Sequence, residues 1–276
     1  MAIEDIIRTC HDVKEMDRGG QKIVYSAVHP QYGSVVLKRG VYPHPGALER
    51  ISREVGLLAS INSSFYPKHY GFVVEAVGQS FLIIEERIEG QPLSTCMERF
   101  SCESEIISLL KLLIEALGIL WNQRVVHRDI KPQNILIRPD KRPVVIDLGI
   151  ARLLDLSSLT VAGAPIGPCT MQNASPEQLR NRKQIIDMRA DFFALGLLLL
   201  HLHLGFHPFD PARVGQGESI PDNILNARFI HPGTKETTSA EFSGLVERLL
   251  QTEPHQRFRT QEALETYIGE HWGNSR

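Results

Sequence analysis

The chain has 276 residues, of which 42% are hydrophobic and 22% charged, and its formal net charge is −2 at pH 7. This length allows one large core or two lobes, and the hydrophobic content argues against a disordered chain. The near balance of charge excludes the strong overall field that attracts nucleic acid or an anionic membrane, so neither is an expected partner.

The cysteines give no sign of a metal site or redox pair, because the four of them, Cys10, Cys96, Cys102 and Cys169, lack close pairing in the sequence. The N-terminal residues lack the charged and then apolar signature of secretion. The longest apolar run, Phe192 to Leu200, is too short and too interrupted further on to span a bilayer. We therefore predict reduced thiols, a cytoplasmic location and no membrane span.

The first third of the chain predicts a helix followed by a sheet. Apolar residues recur at helical spacing within residues 1 to 13, namely Ile3, Ile6, Ile7 and Val13. Two strands flank a glycine turn at Gly19 and Gly20, and further alternating runs cover 34–38, 70–74 and 80–84. Together these runs predict a five-stranded antiparallel sheet, interrupted by a helix over Ala47 to Ile61 whose apolar residues share one face.

The composition becomes more helical after Gly90. A dense apolar pattern predicts a largely buried helix over Glu105 to Trp121, and two short paired strands follow at 135–137 and 144–146. A second apolar helix begins near Asp191. Its histidines, His201 and His203, together with His207 after it, are predicted to pack or form hydrogen bonds rather than bind metal.

The two short strands are bracketed by polar groups suited to phosphoryl transfer. The run His127-Arg128-Asp129-Ile130-Lys131-Pro132-Gln133-Asn134 precedes them, and Asp147-Leu148-Gly149 follows. Such chemistry needs a carboxylate to orient an attacking hydroxyl and oxygen ligands for Mg²⁺. A charged surface loop would explain one such group, but not this set at this spacing. The arrangement resembles the catalytic centre of the protein kinases.

This resemblance extends over about residues 14 to 268 and implies a fold. The expected class is α+β, with a two-lobed architecture in a single domain of residues 1–276. The small N-lobe, residues 14–87, would hold the antiparallel sheet and one main helix. The larger C-lobe, residues 88–268, would be mostly helical.

The resemblance also implies roles for the charged residues. Lys38 would hold the α- and β-phosphates of ATP, and Glu54 would orient Lys38. Asn134 and Asp147 would bind Mg²⁺. Asp129 would orient the substrate hydroxyl and accept its proton.

Lys131 would lie beside the γ-phosphate. A lysine two residues after the aspartate Asp129 is the pattern of the serine/threonine kinases, so the expected substrate is a protein with a Ser or Thr acceptor.

The glycine-rich loop of this family is only partly matched. Registering Val24 on the last position of G-x-G-x-x-G-x-V places Gly19 at the second glycine, with Gly20 beside it. Asp17 and Lys22 then occupy the first and third glycine positions. A glycine hairpin turn would explain this stretch equally well. Either the Lys22 ammonium contacts the triphosphate, or the side chain is solvated.

The run Glu85 to Gly90 resembles the hinge between kinase lobes, where backbone groups bond the adenine edge. The nucleotide-binding positions by this register are Glu86 and Ile88, with Ile88 packing on the base. Glu85 then occupies a normally uncharged position, and a carboxylate is costly to bury unpaired. We expect Glu85 to compete with Glu54 for Lys38 and to favour a resting state.

Three further residues resemble structural elements of the family. Glu177, in the Ser175-Pro176-Glu177 element, would end the activation segment and pair with Arg257. Asp191 would hold the backbone of the catalytic loop.

The activation segment itself yields two expectations. Thr170 should contact Asp129 and Lys131 as a structural member of the site. Arg128 marks kinases whose segment is often fixed by a phosphate. The position four before Thr170 is Ile166, which favours apolar packing without phosphate. Phosphorylation of an earlier hydroxyl, at Ser157, Ser158 or Thr160, is the alternative.

The predicted function is that of an ATP-dependent serine/threonine protein kinase. One alternative is a small-molecule phosphotransferase of the same fold, which usually lacks the elements around Glu177, Asp191 and Arg257. The other is a nucleotide-binding pseudokinase, which the departures at Asp17 and Lys22 favour.

Overall fold

The computed structural model describes residues 2–18, 22–147 and 171–273, with the side chains of residues 50 and 54 excepted. The chain forms two compact units. The first comprises Met1–Glu89 and Val144–Pro165, and the second comprises Gly90–Pro143 and Ile166–Arg276.

The first unit is built on a five-stranded sheet, so the predicted sheet is confirmed. Its strands are β1 (His11–Arg18), β2 (Lys22–His29), β3 (Gly33–Val41), β4 (His69–Glu75) and β5 (Ser80–Glu86). Their order in the sheet is β1-β2-β3-β5-β4, and every neighbouring pair is antiparallel. The tight connection between β2 and β3 uses Gly33 at φ 72°, a conformation that a side chain would strain.

Two helices bury residues from alternate positions of the central strands. Helix α1 (Ile3–Thr9) packs with Leu37 and Leu82, whereas helix α2 (Pro45–Ser60) packs with Phe81 and Ile83. Neighbouring residues of β5 therefore serve different cores, as the alternation of a strand requires.

The grouping of Val13 with helix α1 is wrong. The helix ends at Thr9, Cys10 is extended, and Val13 lies on β1 with 37% of its surface exposed. Helical spacing alone did not reveal that the chain changes to strand geometry at His11.

The second unit is mostly helical, which confirms the predicted α+β class. Its helices are α3 (Glu103–Trp121), α4 (Pro176–Leu179), α5 (Met188–Leu204), α6 (Pro211–Val214), α7 (Ile220–Leu225), α8 (Ala240–Leu249) and α9 (Gln261–Trp272). A short strand β6 (Gln91–Pro92) pairs with β7 (Ile135–Ile137), and β8 (Pro143–Val145) crosses the boundary between the units.

Helix α5 is the core of the second unit, since most of its residues are buried around the whole helix. It packs against α8 closely enough that a Cβ added at Gly196 would lie 2.6 Å from the Cβ of Leu249. Among the described residues no helix is both long and apolar enough to cross a membrane.

Candidate active site

Lys38 lies in the first unit, on β3, with its ammonium between two carboxylates. Its Nζ is 2.7 Å from Oε2 of Glu85 and 4.0 Å from Oδ1 of Asp147. The side chains of Lys38 and Glu85 are only 10% and 8% exposed. Burial acts to lower the pKa of Lys38, but Glu85 and Asp147 together outweigh it and hold the pKa above the usual lysine value.

The position of Glu85 matches the prediction that it contacts Lys38. Whether Glu54 competes for the same ammonium stays a prediction. The backbone of Glu54 lies in α2, but its side chain is outside the described residues.

Asp147 follows β8 and is held in an unusual backbone conformation. Its φ is 65°, in the left-handed region that non-glycine residues rarely adopt. Such positions persist only where surrounding contacts fix them, and they are concentrated at functional sites. Just before it, the Val145 N–H donates to the Phe65 carbonyl at 2.8 Å, which ties this segment to the first unit.

Lys22 supplies a second ammonium to Asp147. Its Nζ lies 2.8 Å from Oδ2 and 3.0 Å from Oδ1 of Asp147. The predicted contact of Lys22 with a triphosphate stays a prediction. The contact with Asp147 was missed, because 125 positions separate the two residues and no sequence pattern links them.

His69 is a further buried residue of this cluster. Its Nδ1 lies 3.9 Å from Oε1 of Glu85, and neither ring nitrogen has a hydrogen-bond partner among the described residues. Burial lowers its pKa below the usual histidine value. Nothing in the sequence distinguished it from an ordinary strand histidine. A pocket in this unit is lined by Lys38, Leu58, Tyr66, Pro67, His69, Glu85, Val145 and Asp147.

The predicted nucleotide-binding positions are only partly described. Val24 lies on β2 opposite Lys38. Ile88 is buried, and the N–H of Glu86 donates to the Lys68 carbonyl at 2.8 Å. Gly19 and Gly20 lie outside the described residues.

Asp129 lies in the second unit, and its two carboxylate oxygens differ in their surroundings. Oδ2 accepts hydrogen bonds from Lys131 Nζ and Asn134 Nδ2, each at 2.9 Å. Asn134 Nδ2 also donates to the Asp129 carbonyl at 2.9 Å. Oδ1 is buried and has no hydrogen-bond partner in the described part of the chain. One oxygen is therefore fixed by the protein, while the other keeps its capacity to accept a hydrogen bond.

Asp191 anchors the backbone that carries Asp129. Its Oδ2 accepts from the N–H of His127 at 2.9 Å, and its Oδ1 accepts from the N–H of Arg128 at 2.8 Å. Trp121 Nε1 donates to the same Oδ2 at 2.9 Å, a contact that the sequence did not indicate. Asp191 is fully buried, and this burial raises its pKa despite the nearby His127 and these donors.

Glu177 and Arg257 form a buried ion pair in the second unit. Two guanidinium nitrogens of Arg257 contact the two carboxylate oxygens of Glu177 at 2.7 and 2.9 Å, and both side chains are at most 1% exposed. The remaining donors reach backbone carbonyls of Gln251, Arg189 and Thr252 at 2.8, 2.7 and 3.1 Å.

Two further residues concern the activation segment. Gln178, next to Glu177, donates to the Arg128 carbonyl at 2.9 Å, and the sequence gave no hint of this contact. Arg128 has a φ of 66°. Thr170, and with it the predicted contacts to Asp129 and Lys131, lies outside the described residues.

The sequence model of the protein kinase domain matches residues 10–268. The chain belongs to the protein kinase family. The match covers both units of the structure, so the kinase resembles its family over nearly the whole chain and not only at the motif around Asp129.

Curated relatives of this kinase are serine/threonine kinases by name. It is 27% identical to a probable serine/threonine protein kinase IREH1 of Arabidopsis thaliana, over 92% of this chain and 22% of the relative. It is 28% identical to the serine/threonine-protein kinase Pkn1 of Myxococcus xanthus, over 94% and 38%. It is 30% identical to a putative ribosomal protein S6 kinase alpha-2 of Caenorhabditis elegans, over 93% and 33%. The chain thus spans less than two fifths of the length of these relatives.

Proposed function

We propose that this kinase transfers the γ-phosphoryl group of Mg-ATP to a serine or threonine hydroxyl of a protein. The observation that carries the proposal is the environment of Asp129. Its Oδ2 is held by Lys131 and Asn134, and its buried Oδ1 has no partner among the described residues. A carboxylate held in this way can orient one incoming hydroxyl and no longer needs to reorganise.

In the proposed reaction the substrate hydroxyl donates its hydrogen bond to Oδ1 of Asp129. The same oxygen accepts the proton as the hydroxyl oxygen bonds to phosphorus and the bond to the leaving ADP breaks. Lys131 keeps Oδ2 in place and adds positive charge beside the transferred group. Asp191 supports both by fixing the backbone N–H groups of His127 and Arg128.

Kinase domains use ATP with a divalent metal ion, and we propose Mg²⁺ with Asn134 and Asp147 as its ligands. The donor types fit, since Mg²⁺ prefers carboxylate and carbonyl oxygens. The amide nitrogen of Asn134 is engaged with Asp129, which leaves its carbonyl oxygen as the atom for a cation. When bound, the ion neutralises charge on the phosphates.

We further propose that Lys38 binds the α- and β-phosphates and that Glu54 helps to orient it. Gly19, Gly20 and Val24 would cover the nucleotide. The hinge at Glu86 and Ile88 would hold the adenine.

The proposal includes the organisation of the chain and its regulation. The chain would act as a single domain, 1–276, and Thr170 would contact the catalytic residues. A cytoplasmic location is supported by Cys10, Cys96 and Cys102, which are free thiols in the described structure.

A pseudokinase is the second candidate, and one observation favours it. Lys22 forms an ion pair with Asp147, so a cation of the protein already occupies the proposed metal ligand. A small-molecule phosphotransferase is disfavoured by the buried pair of Glu177 and Arg257 and by the anchoring role of Asp191.

The test is to incubate the purified chain with labelled Mg-ATP and a general protein substrate, and to identify the phosphorylated amino acids. Asp129→Asn and Asp147→Asn should each lower kcat by about 100-fold or more, because each removes a charge at little change in volume. Asp140→Asn, an exposed turn residue, is the matched control and should leave kcat unchanged.

Label on Ser or Thr that disappears in both variants supports the proposal. Nucleotide binding without transfer by the wild-type chain would show a pseudokinase. Undiminished transfer by Asp129→Asn would contradict the role of Asp129.

A further inference from the structure

Four charged side chains of the first unit alternate in sign along a connected row. Lys22 lies 2.8 Å from Asp147, Asp147 lies 4.0 Å from Lys38, and Lys38 lies 2.7 Å from Glu85. Two cations therefore face two anions, and their formal charges cancel. We call this row, Lys22-Asp147-Lys38-Glu85, the charge row.

The sheet places three members of the charge row on one face. In the β2–β3 register Val24 lies opposite Lys38, so Lys22, two residues from Val24, points to the same side. In the β3–β5 register Ile83 lies opposite Lys38, so Glu85 is its diagonal neighbour on that face. The contact between Lys38 and Glu85 is thus set by strand pairing and needs no adjustment of a helix.

Pairing with Glu85 does not withdraw Lys38 from Asp147. The ammonium bonds Glu85 and still lies 4.0 Å from Asp147. This geometry argues against the resting state expected from the sequence, in which Glu85 would remove Lys38 from the site.

The two unusual members of the charge row have opposite charges. Lys22 stands at a glycine position of the loop pattern and Glu85 at a normally uncharged position of the hinge pattern. A lysine added alone would leave one positive charge in excess around Asp147, and a glutamate added alone would leave one negative charge. Since the inner residues are largely buried, such an imbalance is poorly screened by solvent.

We propose that Lys22 and Glu85 are a compensating pair of positioning residues, which hold Asp147 and Lys38 in place and together set the affinity of Asp147 for the metal ion. The part concerning metal rests on the proposed function. The part concerning compensation does not, because it is a statement about the free protein.

The experiment is a double-mutant cycle on the full chain with Lys22→Gln, Glu85→Gln and the double variant. Melting temperatures measured in EDTA without nucleotide report the charge row alone. Glu85→Gln should lower the melting temperature by at least about 4 °C, because it leaves the buried ammonium of Lys38 without its nearest partner. Lys22→Gln, nearer to solvent, should lower it by about 1–3 °C. The double variant should fall short of the summed drops by about 2 °C or more.

The second measurement is the free Mg²⁺ concentration that gives half-maximal phosphoryl transfer at saturating ATP. Lys22→Gln removes a repelling charge and should lower this concentration about threefold or more. Glu85→Gln should raise it by a similar factor, and the double variant should return to within about twofold of wild type. A purely structural role would not move the two single variants in opposite directions.

Lys14→Gln on β1 and Glu89→Gln are matched controls, since both residues are exposed and lie outside the charge row. They should shift neither quantity. The inference is overturned if the double variant shows the sum of the two melting-temperature drops, or if both single variants move the Mg²⁺ requirement in one direction. A rise in kcat for Glu85→Gln would instead establish the resting state. A wild-type chain without transfer activity would refute the proposed function, while the melting temperatures would still decide the compensation.

Discussion

Replacing Arg257 by lysine should destabilise the second unit, although the positive charge is kept. The five N–H donors of the guanidinium each have an acceptor, which are the two carboxylate oxygens of Glu177 and the carbonyls of Gln251, Arg189 and Thr252. An ammonium has three donors at a single point, so at least two of these acceptors lose their partner.

The magnitude follows from the number of lost contacts. Each buried acceptor left without a hydrogen bond costs about 1 kcal/mol or more. Arg257→Lys should therefore lower the free energy of unfolding by about 2–3 kcal/mol. Arg257→Met should lower it by about 3–5 kcal/mol, because the carboxylate of Glu177 then stays buried without a counter-charge.

The assay is urea unfolding followed by tryptophan fluorescence. The chain has two tryptophans, Trp121 and Trp272, and both belong to the second unit, so the signal reports that unit. Arg259→Lys, an exposed neighbour, is the matched control and should change the free energy of unfolding by less than about 0.5 kcal/mol. If Arg257→Lys behaves like this control, the pairing of five donors with five acceptors does not stabilise the protein.

Three other substitutions test separate features of the second unit. Burial lowers the pKa of His201 from 6.5 to about 4, so the unfolded state binds more protons between these values and stability should fall by up to about 3 kcal/mol as the pH drops; His201→Gln should flatten this dependence in urea titrations, and an unchanged slope would assign it to other groups. Gly196→Ala should lower the melting temperature, because its Cβ would lie 2.6 Å from that of Leu249 and overpacking costs about 1–3 kcal/mol; an unchanged or higher value would mean that α8 yields freely. Trp121→Phe removes a donor to Asp191 and should cost about 1–2 kcal/mol in urea unfolding, whereas no change would show that the two backbone donors suffice.

Most of the fold could be predicted because local signals agree with tertiary packing. The strands follow alternating or β-branched runs, and α5 follows an apolar run that can only be buried. The contact between Lys38 and Glu85 was also within reach, since strand register makes them diagonal neighbours. Local periodicity failed at Val13, where helix gives way to strand without a change in hydrophobicity.

The missed contacts share a different physical cause. The bonds of Lys22 to Asp147 and of Trp121 to Asp191 join residues that are far apart in sequence. A long side chain or an indole N–H can reach several partners, and only the folded backbone decides which one is in range. For His69 the sequence showed a strand residue but not the burial of both ring nitrogens.

Strand β1 has a consequence for how this protein behaves at high concentration. It forms one edge of the sheet, all of its residues are exposed, and its register with β2 is interrupted twice. An unpaired edge is a template on which another chain can add a strand and begin an aggregate. Five of its eight residues carry charge, namely Asp12, Lys14, Glu15, Asp17 and Arg18. A second copy would have to bring these charges together and match an irregular backbone, so β1 protects the sheet against growth from this side.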